Sequence, residues 1–330
     1  MSTLRRLPAR FGLLICGLAL LSGCAAEQSL KGKVVVVTGA SSGFGKGVAL
    51  KMADEGAQVV LAARRTGPLD EVARDVTARG GTALVVTTDV AREEDVAKLA
   101  QATIDKFGRI DVWINNAGVG AIGRFDEIPL AEQIRVVHTN LNGVIHGSYF
   151  AMRQFRKQGA GTLINIGSVD SKVPLAYMAT YNATKHGVLG LTNTLHEELR
   201  LSGEKNIHVS TVMPWAADTP FWDHAANYTG KKPRNALMDD PNKVIDAIVA
   251  TAKQPKKEVN VGYKVGMAAL SKRLAPDTTD ALASDVYAKE LNKASPTTNS
   301  PGAVNEPMPT GTGIDGGVRD RKKAEDAAQP

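Results

Sequence analysis

A parallel α/β sheet covered by helices on both faces is the fold class this sequence predicts, and three observations predict it. Short β-branched runs alternate with helical periodicity along the chain. A glycine-rich turn, Thr38-Gly39-Ala40-Ser41-Ser42-Gly43-Phe44-Gly45, follows the first run directly. Tyr181 and Lys185 stand at i and i+4, on one face of a helix and one turn apart. Strands joined by helical crossovers are parallel, and right-handed crossovers place helices on both sides of the sheet.

The elements follow in order. Strands are predicted at 33–37, 58–62, 82–87, 111–114, 162–166, 208–212 and 258–261, each a short apolar or β-branched run suited to burial on both faces. Helices are predicted at 43–55, 68–79, 93–107, 130–157, 181–200 and 241–252. A further helical stretch, 263–294, is broken at Pro276. It packs on the body as a terminal extension. The alternative is a membrane-facing surface, with Lys264, Lys272 and Arg273 beside Met267, Leu270 and Leu274.

The two ends differ from the body. Arg5, Arg6 and Arg10 precede an apolar run at 11–21, too short to span a bilayer comfortably. Leu21-Ser22-Gly23-Cys24 resembles a lipobox, so residues 1–23 read as a signal peptide and Cys24 as a lipidated, membrane-anchored N-terminus. That places the protein on the periplasmic side of a bacterial envelope; an uncleaved, cytoplasm-facing anchor is the alternative. Cys16 and Cys24 are the two cysteines, so the mature body holds no pair for a disulfide. Residues 295–330 are rich in Pro, Thr, Gly and Asn with few large apolar side chains, which predicts a disordered tail. The net charge of +6 comes without a Lys/Arg stripe interleaved with aromatics, so no nucleic-acid partner is expected. The six histidines show no metal-ligand spacing.

The glycine turn between first strand and first helix suits a dinucleotide, because backbone can approach a pyrophosphate closely and the helix start offers free N–H groups. The second strand ends in Ala62-Ala63-Arg64-Arg65. Where an acid would bind a ribose 2′-hydroxyl, two guanidinium groups suit a 2′-phosphate. NADP is therefore the expected cofactor, ahead of NAD.

Taken together, T-G-x-x-x-G-x-G from Thr38, Asn115-Asn116-Ala117-Gly118 after the fourth strand, Ser168, and Tyr181-x-x-x-Lys185 resemble, in that order, the short-chain dehydrogenase/reductase family. The resemblance implies a single-domain doubly wound (Rossmann) sheet of about seven strands over 29–262. A nicotinamide cofactor would lie across the strand C-terminal ends. It also implies that the loop residues Thr38, Gly39, Ser41, Ser42, Gly43, Phe44 and Gly45 hold the cofactor. Asp89 and Val90 would contact adenine, Asn116, Ala117 and Gly118 would line the cleft, and Thr219 would bind the carboxamide beside Pro214. Trp215 follows Pro214 where the family often has glycine, which puts the local loop geometry in question.

The implied reaction is hydride transfer between the nicotinamide and a small-molecule carbonyl or secondary alcohol, with Asn140, Ser168, Tyr181 and Lys185 as the catalytic set. Tyr181 would be the acid in reduction and the base in oxidation. Lys185 would favour its phenolate, a shift of about three pH units or roughly 4 kcal/mol. Lys185 would also hold the nicotinamide ribose, Ser168 the substrate oxygen, and Asn140 a water. Trp215, Phe221, Trp222 and Tyr228 would form a lid or a packed loop, with Pro174, Leu175, Tyr177 and Met178 opposite. The alternatives are a cofactor-binding scaffold or sensor with little turnover, and an epimerase or dehydratase using the same tyrosine. The helices at 130–157 and 181–200 resemble those that pair subunits in this family, so a homo-oligomer is expected.

Overall fold

The computed structural model describes residues 27–328. The expected signal segment and Cys24 lie outside the described residues. The chain runs β1 (Val34–Thr38), α1 (Gly43–Asp54), β2 (Gln58–Ala63), α2 (Thr66–Ala78), β3 (Thr82–Thr87), α3 (Glu93–Phe107), β4 (Val112–Asn115) and β5 (Ala121–Ile122). It continues through α4 (Leu130–Val137), a π-helical turn (His138–Asn142), α5 (Gly143–Gln158), β6 (Gly161–Ile166), a 3₁₀ turn (Val169–Ser171), α6 (Ala179–Ser202) and β7 (Ile207–Met213). It ends with α7 (Phe221–His224), β8 (Ala226–Asn227), α8 (Pro241–Lys253), β9 (Glu258–Asn260), α9 (Tyr263–Leu274), α10 (Pro276–Lys293) and α11 (Val318–Ala327).

The main sheet has seven strands in the order β3-β2-β1-β4-β6-β7-β9, all parallel. Its core is legible in β1. Val35 and Val37 pack with Val48 and Met52 of α1, Val72 of α2 and Ile248 of α8. Val34 and Val36 pack on the opposite face with Leu99 of α3 and Phe155 of α5. Each such buried side chain contributes about 1.5–3 kcal/mol, and the period-2 alternation divides that gain between both faces.

The predicted strands all form, with bounds shifted by no more than a residue or two. The expected single helix at 130–157 contains a π turn, which interrupts the ladder at Thr139 and Asn140. The short parallel pair of β5 and β8 and the helix α7 were not anticipated, because two to four residues carry no periodicity to read. α9 and α10 divide before Pro276, as expected, and join through Lys272–Asp280 and Ser271–Thr279. Tyr287 and Leu291 bury against the body, while Met267, Leu270 and Leu274 stay exposed. Among the described residues no helix is long and apolar enough to cross a membrane.

The disorder expected for 295–330 is corrected: described residues 295–328 pack on the body and end in α11. Val304 and Val318 are 0% exposed. Val304 joins Val119, Ile128 and Val136, and Val318 joins Met178, Trp222 and Tyr287. Arg234, buried, holds α11 through Glu325 and Asp326 and holds α10 through Glu290. Few apolar residues suffice here because each enters a prepared hollow, and the backbone's polar groups find partners on the body.

Candidate active site

The strand order reverses between β1 and β4, and a cavity of about 700 Å³ opens at the strand C-terminal ends there. Ligands of open parallel sheets bind at such a switch point, and the volume is that of a small-molecule site. Gly39, Ser41, Ser42, Gly43 and Phe44 of the first loop line it. Arg64 and Arg65 enter after β2, Asp89 and Val90 after β3, and Asn116, Ala117 and Gly118 after β4. Ser168, Tyr181, Lys185, Pro214 and Thr219 line it from the β6–β7 side.

Three expected residues stand behind this wall. The Thr38 hydroxyl donates to the Ile114 carbonyl (3.2 Å) and accepts the Asn116 and Ala117 N–H groups (3.0 and 3.1 Å), tying β1 to the loop after β4. Gly45 packs so closely on Gly39 that a Cβ would overlap the Gly39 carbonyl. Gly39 itself has φ +69° and lies against Ala117. The loop is therefore a glycine-dependent cradle that a dinucleotide's phosphates fit. Asn140, fully buried, exchanges hydrogen bonds with both backbone groups of Val119 (2.9 Å each) and donates to Thr184 Oγ1 (3.3 Å). Its side-chain amide is thus engaged by Val119 and Thr184, and the π turn that presents it is a feature frequent at functional sites.

Ser168 stands two residues after the end of β6 and caps the 3₁₀ turn. Its Oγ accepts the Asp170 N–H (3.1 Å), and Ser171 Oγ accepts the Ser168 N–H (3.2 Å). This reciprocal cap fixes the Ser168 hydroxyl, which lines the same cavity as Tyr181. Tyr181 and Lys185 occupy one face of α6. The Lys185 ammonium donates to the Ile166 carbonyl (2.7 Å) and lies 5.5 Å from the Tyr181 ring centroid. The Phe221 ring also packs against Tyr181, with centroids 5.5 Å apart.

The electrostatics differ from the expectation that Lys185 draws Tyr181 toward the phenolate. Burial pushes the phenol up, the Asp170 carboxylate pushes it further, and the Ser168 hydrogen bond acts the other way. Burial lowers Lys185 to about 8, against Asp170, which holds it up. The folded protein by itself thus keeps Tyr181 as the protonated phenol, the form a proton donor requires.

Asp170 is the site residue that motif reading missed. Burial raises its carboxyl to about 7, with Ser168 and Lys185 pulling it back down. It lines the cavity beside Tyr287, whose buried hydroxyl has no hydrogen-bond partner among the described residues and whose own ionisation Asp170 also opposes. A carboxylate two positions after Ser168 was a readable signal. Tyr287, on α10 and far along the chain, gave none. Because the folded pKa exceeds the ordinary value of about 3.9, Asp170's contribution is complete below about pH 4 and is lost as pH rises through about 7. Asp170→Asn should remove that loss. Thermal melts from about pH 4 to pH 8 should show the Tm difference moving in the variant's favour, by at most about 4 kcal/mol in stability. A pH-independent difference would contradict the assignment.

Trp215 adopts an ordinary negative φ, so the loop does not need glycine there. The Pro214 carbonyl accepts the Val169 N–H (2.8 Å), and the indole lines the cavity with Lys264 Nζ 5.6 Å from its ring. Phe221, Trp222, Leu175 and Met178 add an apolar wall, while Tyr228 turns away to Glu132 (2.6 Å). Asp89, expected at adenine, is ion-paired with Arg135 of α4.

A sequence profile described as short chain dehydrogenase matches residues 33–228. An oxidoreductase of Bacillus subtilis, YxnA, is 34% identical over 258 residues, covering 77% of this chain and 72% of the relative. A protein of Staphylococcus epidermidis named diacetyl reductase [(S)-acetoin forming] is 32% identical over 225 residues, covering 68% and 84%. Among solved structures, a short-chain dehydrogenase/reductase from Burkholderia phymatum in complex with NAD matches with TM-score 0.68 at 26% identity, covering 82% of this chain and 99% of that one. A metagenomic short-chain oxidoreductase in complex with NADP matches with TM-score 0.60 at 32% identity, covering 71% and 98%.

Proposed function

We propose that this chain, which belongs to the short-chain dehydrogenase/reductase family of NAD(P)-dependent oxidoreductases, reduces small carbonyl compounds with NADPH and uses Tyr181 as proton donor. One observation carries the reading. A single cavity reaches from Arg64 and Arg65 to Ser168, Tyr181 and Lys185.

When bound, the cofactor supplies the hydride. Gly39, Ser41, Ser42 and Gly43 would hold its phosphates, Arg64 and Arg65 its 2′-phosphate, and Thr219 its carboxamide. Ser168 Oγ positions the substrate oxygen. Tyr181 would give its phenol proton to the substrate oxygen as negative charge develops there. The resulting phenolate recovers a proton from solvent, with Lys185 alongside to stabilise it in the interval. Leu175, Met178, Phe221 and Trp222 select an apolar substrate body, and exposed Leu237, Tyr263, Met267 and Leu282 edge the mouth. A panel of alkyl and aryl ketones, aldehydes and vicinal diketones tests this by NADPH consumption. The diketones are included because one relative is named a diacetyl reductase. No consumption with any member would refute the reading.

The lipobox supports a tether through Cys24 to the outer face of a bacterial membrane. Radiolabelled fatty acid should enter the full chain and not Cys24→Ala; an unlabelled wild-type chain would contradict the tether. Ile134 on α4 and Ile145 and Tyr149 on α5 are exposed apolar groups. They suit pairing of two copies along these helices, which mass measurement in solution would detect; a monomer at all concentrations would exclude it.

A further inference from the structure

The donors that would read the cofactor's phosphates already have partners, and those partners belong to the C-terminal tail. Arg64 Nη1 donates to the carbonyls of Val304 (3.2 Å) and Asn305 (2.8 Å), and Nη2 to that of Ala303 (2.5 Å). Arg65 Nη1 donates to Met308 (3.0 Å) and Thr310 (2.8 Å), and its Nη2 and Nε donate to Ser41, Ser42 and Gly311. At the start of α1 the Gly43 N–H donates to the Gly313 carbonyl (2.9 Å), and Lys46 Nζ to that of Thr312 (3.3 Å). A row of peptide carbonyls over 303–313 thus meets both guanidinium groups and the helix N-terminus.

A carbonyl is a neutral acceptor. A phosphate in its place makes the same bonds with charge on both sides, roughly twice as strong, and guanidinium matches it in shape. The segment is also built to lift. Its first two residues, Ala303 and Val304, are buried against the body, and beyond its far end α11 stays latched by Arg234 and by Asp218 to Arg319. Beyond Ala303 and Val304 its side chains are exposed or half-buried, and its bonds to the arginines run through backbone oxygens.

We propose that residues 303–313 act as a built-in pseudo-ligand of the cofactor's phosphate sites, so that NADP binds chains from which this segment has lifted, and tail docking selects against the 2′-phosphate. The proposal rests on the NADP reading of Arg64 and Arg65. In this scheme apparent affinity equals intrinsic affinity scaled by the undocked fraction.

The test uses the full chain. Gly302 (φ +53°) precedes the contact and Gly311 (φ +68°) lies within it, and a Cβ there would overlap the His224 and Ala225 carbonyls or the His224 ring respectively. Gly302→Val and Gly311→Val should therefore undock the segment. NADPH should bind these variants about tenfold more tightly than wild type, while NADH, which would meet the segment only at the loop and the start of α1, should gain less, no more than about threefold. Hydrogen exchange on the unmodified chain is the second readout. Amides of 303–313 should exchange faster when NADPH saturates the protein. Variants that prefer NADPH yet bind it no better than wild type, or protection of 303–313 by NADPH, would overturn the pseudo-ligand and leave the NADP reading intact. NADH binding more tightly than NADPH in every chain would remove both.

Discussion

Tyr181→Phe is expected to lower kcat/KM for carbonyl reduction by about 10³-fold, within the range that positioned acids contribute, and to leave NADPH affinity within about threefold. The substitution removes one oxygen and little else. The ring keeps its contacts with Phe221 and with the Lys185 ammonium, and α6 keeps its packing. What is lost is a phenol that burial and Asp170 hold in the protonated form. Without it the developing alkoxide has Ser168 as a hydrogen-bond donor but no proton source in reach. A thousandfold loss corresponds to about 4 kcal/mol of transition-state stabilisation. Because the missing interaction forms as charge develops on oxygen, kcat should fall and KM should hardly move. Full activity in the variant would remove Tyr181 as the donor. Loss of activity with an equal loss of NADPH binding would point to a damaged site instead.

The second large effect concerns the cofactor. Arg64→Ala combined with Arg65→Ala should weaken NADPH binding by about 100-fold, or about 2.7 kcal/mol, with NADH affinity changed by no more than about threefold. Charge-assisted hydrogen bonds contribute about 1.5–3 kcal/mol each. Part of that gain is offset in this protein, because the same substitutions also release the carbonyls of 303–313. The NADH measurement separates the two consequences. Looser docking of the tail affects both cofactors, whereas loss of the 2′-phosphate site affects NADPH alone. Equal losses for the two cofactors would contradict the assignment of these arginines.

Much of this was legible because it is local. A β-branched run followed by glycines gives a strand, a tight turn and a helix start in one stretch, and the structure has all three at Val34–Thr38 and Gly43–Asp54. Tyr181 and Lys185 share a helix face by spacing alone, and Ser168 meets them because β6 lies beside the strand that follows α6. What escaped reading depends on distant contacts. The tail's composition is that of disorder, yet Val304 and Val318 find hollows lined by residues distant in the sequence, Val119 and Val136 for the one and Met178 and Trp222 for the other. Lys185 sits one turn from Tyr181, but its ammonium turns to the Ile166 carbonyl, and burial together with Asp170 pushes the phenol up. Asp170 was visible as a letter; its burial was not.

The most direct test is deuteride transfer. NADPH deuterated at the transferable C4 position, incubated with a ketone the enzyme consumes, should deliver deuterium to the carbinol carbon, with one NADP formed per alcohol. Tyr181→Phe should slow the same transfer by about 10³-fold without changing where the label goes. Product without deuterium, or substrate converted with no net oxidation of NADPH, would contradict a carbonyl reductase and point to epimerisation or dehydration at the same tyrosine.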